Sequence, residues 1–189
     1  YTTYTVNKQW DNNSGTGNPA SATVHLQESI DGGKTFFDYP GDGAATLTEK
    51  GGWSYQWTNL PSYIYTSGSP VPVVYQTYED TLDDYTTSYG TVNGNAENGY
   101  SQTITNTSKY TTFKVSKIWN QGVQSESDWP DSVTVTLLAN GESVYSGLLN
   151  ADNNWMGTFY DMPIVDDNGT AISYTVEEFD VDGYTKYAG

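Results

Sequence analysis

Apolar side chains recur at every second position along most of this chain, in short runs cut by turn-forming residues. Val133, Val135 and Leu137 hold one parity, while Thr134, Thr136 and Leu138 hold the other. Successive side chains of an extended strand point to opposite faces, so this alternation predicts strands with one face in a core. The three-and-four spacing of an amphipathic helix is missing, and no helix beyond a single turn is expected. The chain reads as all-β, with strands spaced as in a sandwich.

The same pattern occurs twice. Y-T-T-Y-T-V-N-K-Q-W from Tyr1 to Trp10 returns as Y-T-T-F-K-V-S-K-I-W from Tyr110 to Trp119. Pro19 to Leu26 then corresponds to Pro130 to Leu137, and Gly52-Trp53 with Asn59-Leu60-Pro61 to Asn154-Trp155 with Asp161-Met162-Pro163. Tyr75 to Glu79 and Asp84-Tyr85 correspond to Tyr174 to Glu178 and Gly183-Tyr184. Self-similarity with the order preserved marks a tandem array. The expected domains are residues 1–109 and 110–189, each with about six or seven short strands.

Extra residues in the first copy fall on turn chemistry: Asp31 to Lys34, Gly41 to Gly43, and the connector Ser67 to Pro72. Beyond Glu79 a Gly/Asn-rich loop from Thr87 to Gly99 is expected to lead into a last strand, Ser101 to Thr107. By analogy the second copy lacks that last strand within this chain. The Y-T-T shared by Tyr1 and the junction predicts a longer array in the parent protein, of which this chain is an interior or mature piece.

Composition narrows the function classes. The formal charge is −16, with seven lysines and no arginine, which repels phosphate backbones and anionic headgroups. Nucleic acid is therefore excluded as a partner. No apolar run is long enough to span a bilayer as a helix, so no membrane contact is expected from this segment. Only 35% of residues are hydrophobic, yet there are 17 Tyr and 6 Trp, so large aromatics must supply much of the buried area. Without cysteine there is no disulfide, thiolate nucleophile or Cys-bound metal.

Three polar residues break the alternation. Tyr4, Val6, Lys8 and Trp10 share a face, as do Phe113, Val115, Lys117 and Trp119. Val73, Tyr75, Thr77 and Glu79 share another, matched by Ile172, Tyr174, Val176 and Glu178, and Asn106 shares one with Ile104. An unpaired buried charge is costly enough that the group tends to neutralise. A neutral Lys8 amine is a nucleophile, and a protonated Glu79 can donate to the Asn106 carbonyl and shuttle protons as ammonia leaves. The product is a Lys-Asn isopeptide. Parity is equally compatible with a buried Lys8 to Glu79 ion pair, or with a lysine that snorkels to water at a strand end.

The repeated V-x-K-x-W, the P-x-S-x-T/V-V-x-L segment, the W…N/D-L/M-P block, Y-T-V-E-E-F-D-V-D-G-Y from Tyr174 to Tyr184 and I-T-N-T from Ile104 to Thr107 resemble the collagen-adhesin B-type (Cna-B) repeats of Gram-positive surface proteins and pilins. The resemblance implies two tandem transthyretin-like, inverse immunoglobulin-like β-sandwiches joined internally by an autocatalytic Lys-Asn bond. It assigns the bond to Lys8 and Asn106 with Glu79 as the acid. In the second copy it assigns Lys117 and Glu178, whose Asn partner would lie beyond Gly189. Asp80 adjoins the acid position, and parity favours Glu79.

It further implies a stalk or spacer of a wall-anchored adhesin or pilin on the outside of a bacterial cell. The anchor would lie outside this chain, with neighbouring repeats as partners and any host ligand held by a distal domain. The expected chemistry is a single turnover without cofactor or metal, and not an enzyme with multiple turnovers. The alternative class is a module that itself binds glycan or host matrix protein, for which Tyr63, Tyr65, Tyr85 and Tyr89 are the candidates. Trp10, Trp119, Trp53 and Trp155 recur at equivalent positions and are expected in the core. His25, opposite in parity to Val24 and Leu26, is expected to face solvent. Asp11 to Gly15 and Asp166 to Gly169 lack the ligand alternation of an EF-hand and are read as Asx turns.

Overall fold

A computed structural model describes residues 1–13, 17–120 and 126–186. Contacts divide the chain into two compact units. The first holds Tyr1–Asn12 and Gly17–Ser108; the second holds Asn13 and the described residues from Lys109 onward. Both are built of strands, and among the described residues the one helical element is a single turn, Glu126–Asp128.

The first unit contains β1 (Thr2–Asp11), β2 (Ser21–Ser29), β3 (Phe37–Asp38), β4 (Ala44–Thr48), β5 (Ser54–Leu60), β6 (Tyr63–Thr66), β7 (Ser69–Pro72), β8 (Val74–Glu79), β9 (Tyr85–Tyr89), β10 (Asn93–Asn95) and β11 (Gly99–Ser108). One sheet runs β10-β11-β1-β5, with β9 also on β11; the other has β2 at its centre, flanked by β3 and β4 on one side and β8 on the other. The first strand and the last are thus parallel neighbours, with Lys8 opposite Ile104 and Trp10 opposite Asn106. Tyr4, Val6, Trp57, Leu60 and Ile104 from one sheet meet Val24, Leu26, Leu47, Val73 and Tyr75 from the other. Tyr4, Val6, Val24, Leu26, Val73, Tyr75 and Ile104 are residues whose parity predicts an inward face; Leu47, Trp57 and Leu60 join them in the structure.

Two expected loops carry strands instead. The sequence predicts a connector over Ser67 to Pro72, but β6 and β7 pair as a hairpin across Ser67-Gly68, both with positive φ (52° and 82°). Two such residues give the turn whose twist suits a hairpin, and Pro70 and Pro72 are tolerated where the strand needs no ladder from their missing N–H. The Thr87 to Gly99 segment likewise includes part of β9 and all of β10, both antiparallel to β11. Gly94 makes the β10 pairing possible: at φ 105° an added Cβ would sit 2.1 Å from the Gly99 carbonyl oxygen.

The second unit contains β12 (Tyr110–Ser116), β13 (Ser132–Ala139), β14 (Glu142–Asn150), β15 (Met156–Pro163) and β16 (Tyr174–Glu178). β12 pairs with β15, and β13 lies between β14 and β16. Val133, Val135 and Leu149 form its buried centre, with Val115, Trp119, Trp155, Phe159, Val176 and Val181 packed around them.

The backbone repeats as closely as the sequence. Trp53 and Trp155 have φ of 53° and 57°, and Asn59 and Asp161 have 56° and 55°. Near the latter pair, the ladders β1·β5 and β12·β15 both shift register, between Thr2 and Tyr4 and between Thr111 and Phe113. Bulges re-aim a strand, so their recurrence gives each first strand the same course past its lysine. The Tyr75 hydroxyl donates to the Pro61 carbonyl at 2.9 Å, and that of Tyr174 to the Pro163 carbonyl, also at 2.9 Å.

Leu26 is 1% exposed and Phe37 is 65% exposed. Leu26→Ala is expected to destabilise the first unit by about 2–5 kcal/mol through lost transfer energy and a residual cavity, and Phe37→Ala by about 0.5 kcal/mol or less. Denaturant unfolding of each variant, measured against the parent, checks both.

Candidate functional site

The core of the first unit contains a closed polar site. β1 supplies Lys8 and β11 supplies Asn106, one inward step further along its parallel neighbour. Glu79 comes from the facing sheet, at the end of β8 beside Val24. The side chains of Lys8 and Glu79 are 0% exposed, and Asn106 as a whole is 0% exposed.

Glu79 touches both partners. Its Oε2 lies 2.9 Å from Lys8 Nζ, and its Oε1 accepts a hydrogen bond from Asn106 Nδ2 at 2.5 Å. The Lys8 contact is a close approach of charges whose angles fall outside those of a directed hydrogen bond, leaving Nζ and Oε2 unsatisfied in that sense. Asn106 Oδ1 has no hydrogen-bond partner either. Unpaired polar atoms are uncommon in a core, and three of them belong to this site. The amide nitrogen, and not the carbonyl expected from the sequence, faces the carboxyl. Burial pulls the Lys8 pKa below its ordinary value, and the contacts with Glu79 offset part of that. Because removal from water disfavours the ammonium, the neutral nucleophilic amine becomes more accessible.

Aromatic rings close the site. Lys8 Nζ lies 4.4 Å from the centroid of the Trp10 ring, which meets Trp53 at 5.0 Å and Tyr85 at 5.1 Å edge to face. The Lys8 amide donates to the Trp53 carbonyl at 2.7 Å, and the Glu79 amide to the Tyr89 hydroxyl at 3.1 Å. Tyr85 and Tyr89, considered for a ligand platform on sequence grounds, therefore serve this site's walls, and Tyr85 is buried. Asp80 is 58% exposed in its side chain and lies 3.0 Å from His25 Nε2, away from Lys8. Sequence parity separates the two acids on the same grounds.

In the second unit Lys117 Nζ donates to both oxygens of Glu178 at 2.9 Å, with side chains 13% and 17% exposed. Lys117 Nζ stands 4.5 Å from the Trp119 ring centroid, and Trp119 meets Trp155 and Tyr184, each at 5.0 Å. The Lys117 amide donates to the Trp155 carbonyl at 2.8 Å. The carboxylate, ring and backbone contacts described for Lys8 recur at Lys117, while among the described residues no asparagine is seen on Glu178. Among the described residues β12 pairs with β15 alone, so no strand takes the place that β11 holds beside β1.

The remaining candidates resolve locally. His25 stacks on Tyr78 at 4.7 Å, with its side chain 28% exposed. Asp166 accepts from the amides of Asn168 and Thr170, an Asx turn. In the Asp11 to Gly15 segment, Ser14 and Gly15 lie outside the described residues. Among the described residues no cluster of His, Cys, Asp or Glu suits a metal ion, and no helix is long and apolar enough to cross a membrane. Tyr63 and Tyr65 remain exposed, at 53% and 77%.

The sequence profile of the Cna protein B-type domain matches residues 4–107 and again residues 113–188. A collagen adhesin of Staphylococcus aureus is 31% identical over 188 residues, covering 97% of this chain and 14% of its own length. Among solved structures, two B repeat units of the S. aureus collagen-binding protein are 29% identical over 99% of this chain and 47% of theirs, with a TM-score of 0.41. A single B repeat unit of that protein is 25% identical over 98% of this chain and 90% of its own, also with a TM-score of 0.41. The paired profile match places one copy in each unit, and the chain belongs to the Cna protein B-type domain family.

Proposed function

We propose that the first unit forms an intramolecular isopeptide bond between Lys8 and Asn106, and that the chain is a stalk or spacer segment of an adhesin or pilin on a bacterial surface. The observation that supports the bond most is the Glu79 carboxyl in contact with Lys8 Nζ and Asn106 Nδ2 at once, inside a core. In the reaction neutral Nζ attacks Asn106 Cγ. The new N–C bond forms as the Cγ–Nδ2 bond breaks, and one proton passes from Nζ through Glu79 to Nδ2, which leaves as ammonia. Fixed strands supply the proximity that makes this amide exchange feasible.

The spacer role follows from where the bond would lie. It joins the first strand to the last, so tension entering near Tyr1 and leaving near Ser108 runs through Lys8 and Asn106 and spares residues 9–105. In a chain with no cysteine it takes the place of a disulfide and survives reduction. Neighbouring repeats of the parent protein are the partners of this role, and a host ligand would belong to another part of it. The collagen adhesin relative, of which this chain covers 14%, supports the surface setting.

A second reading rests on the β6–β7 hairpin, where Tyr63 pairs with Pro72 and Tyr65 with Pro70, both tyrosines exposed. Such a face suits a glycan or an extended matrix peptide. Glycan and matrix-protein arrays probed with the parent chain and Tyr63→Ala/Tyr65→Ala decide it: binding lost in the variant supports the module, and no binding by the parent removes it.

Intact mass of the purified chain is expected to fall short of the sequence mass by one ammonia, with peptide mapping joining Lys8 to Asn106. Lys8→Ala and Glu79→Ala keep full mass and melt lower, because a closure of about 100 residues no longer constrains the unfolded chain, a term of about 4.7 kcal/mol in the chain-entropy account. An unmodified parent contradicts the cross-link. The rate of bond formation in freshly folded chain is expected to rise with pH as Lys8 loses its proton. With its folded pKa lowered by burial, the rise levels off below about 10.4, the ordinary lysine value. A profile still climbing through that value would show a lysine exposed to solvent during the reaction.

A further inference from the structure

The strand that carries Asn106 is poorly specified by oil. Its buried positions are Gln102, Ile104, Asn106 and Ser108, of which only Ile104 is apolar. A β-ladder repeats every two residues, so backbone hydrogen bonds alone do not distinguish the observed register from one slipped by two. A two-residue slip keeps the same face inward but moves Asn106 about 6.6 Å along the sheet, away from Lys8 and Glu79. Side chains must therefore select the register.

Gln102 is 6% exposed and bonds through both ends of its amide. Its Oε1 accepts from Tyr4 Oη at 2.8 Å, Thr77 Oγ1 at 2.8 Å and Thr77 N at 3.2 Å, and its Nε2 donates to the Gly90 carbonyl at 2.9 Å. Burial pushes the Tyr4 phenol up to about 12, so it keeps its proton for this bond at any working pH. Tyr4 lies on β1 with Lys8, Thr77 on β8 with Glu79, and Gln102 on β11 with Asn106. The hydrogen-bonded cluster thus ties together the same three strands as the lysine site, nearer the N-terminal end of each. A slipped β11 would put another side chain where the amide of Gln102 sits and leave the Tyr4 hydroxyl and the Thr77 donors buried without their acceptor.

We propose that Gln102 is the positioning residue of the cross-link: by locking β11 to β1 and β8 in one register, it delivers Asn106 to Lys8. This rests on the isopeptide reading and adds a residue that touches none of the reacting atoms.

The test follows ammonia loss by intact mass as the full chain leaves cell-free synthesis, for the parent, Gln102→Met and Tyr4→Phe/Thr77→Val/Gln102→Met. Methionine keeps the shape without the polar amide, and the triple variant also removes the side-chain hydroxyls left unpaired, so it separates stability from register. Melting is compared in a Glu79→Ala background, where no version closes the bond. The expected result is a roughly ten-fold or greater slowing in Gln102→Met that persists in the triple variant although its melting temperature recovers. A triple variant that closes the bond at the parent's rate shows that Gln102 acts only through stability and overturns the proposal. A Gln102→Met chain that keeps pace overturns it as well, while the parent's own ammonia loss keeps the cross-link reading intact. A parent that retains full mass removes both.

Discussion

A carboxyl group between an amine and an amide, in a core that water does not reach, is the constraint around which the first unit is arranged. Glu79 contacts both Lys8 and Asn106, and it comes from the opposite sheet. To leave a charge there unpaired would cost several kcal/mol by order of magnitude, so each of the three groups depends on the others. The surrounding strands then have little freedom. β1 and β11 must be parallel neighbours, β8 must end opposite them, and Trp10, Trp53 and Tyr85 must close the side where the lysine stem would otherwise reach solvent.

Among the described residues the second unit holds two members of the same plan. Lys117 and Glu178 form a two-pronged ion pair, partly exposed, with both oxygens on the lysine. In the first unit the carboxyl is shared, one oxygen for the lysine and the other for the asparagine. That division distinguishes a salt bridge from an arrangement suited to passing a proton between two nitrogens. Trp10, Trp53 and Tyr85 recur as Trp119, Trp155 and Tyr184, with Trp129 added against the first two, so these rings accompany the lysine whether or not an asparagine stands beside it.

Much of this was legible in the sequence because it rests on period-two alternation and on repetition. The inward parity of Tyr4, Val6 and Lys8, of Tyr75, Thr77 and Glu79, and of Ile104 and Asn106 reappears as burial in the structure. Trp53 and Trp155 recur although a positive φ is unfavourable for a bulky side chain, because each ring packs edge to face at 5.0 Å on the tryptophan two residues past its lysine, Trp10 and Trp119. Ser67-Gly68 and Asn140-Gly141 are two-residue turns with positive φ at both positions, a local signal present in the sequence but outweighed, for the former, by the prolines that follow. Gln102 was not legible, because its role depends on strands far apart in the chain. Nor was the direction of the Asn106 amide, which no periodicity encodes.

Electron density tests the proposed Lys8–Asn106 bond most directly. A high-resolution crystallographic map of the chain is predicted to show continuous density from Lys8 Nζ to Asn106 Cγ, planar as an amide, with Glu79 beside it. Separate density for a free ammonium and an intact carboxamide on either side of Glu79 would contradict the account.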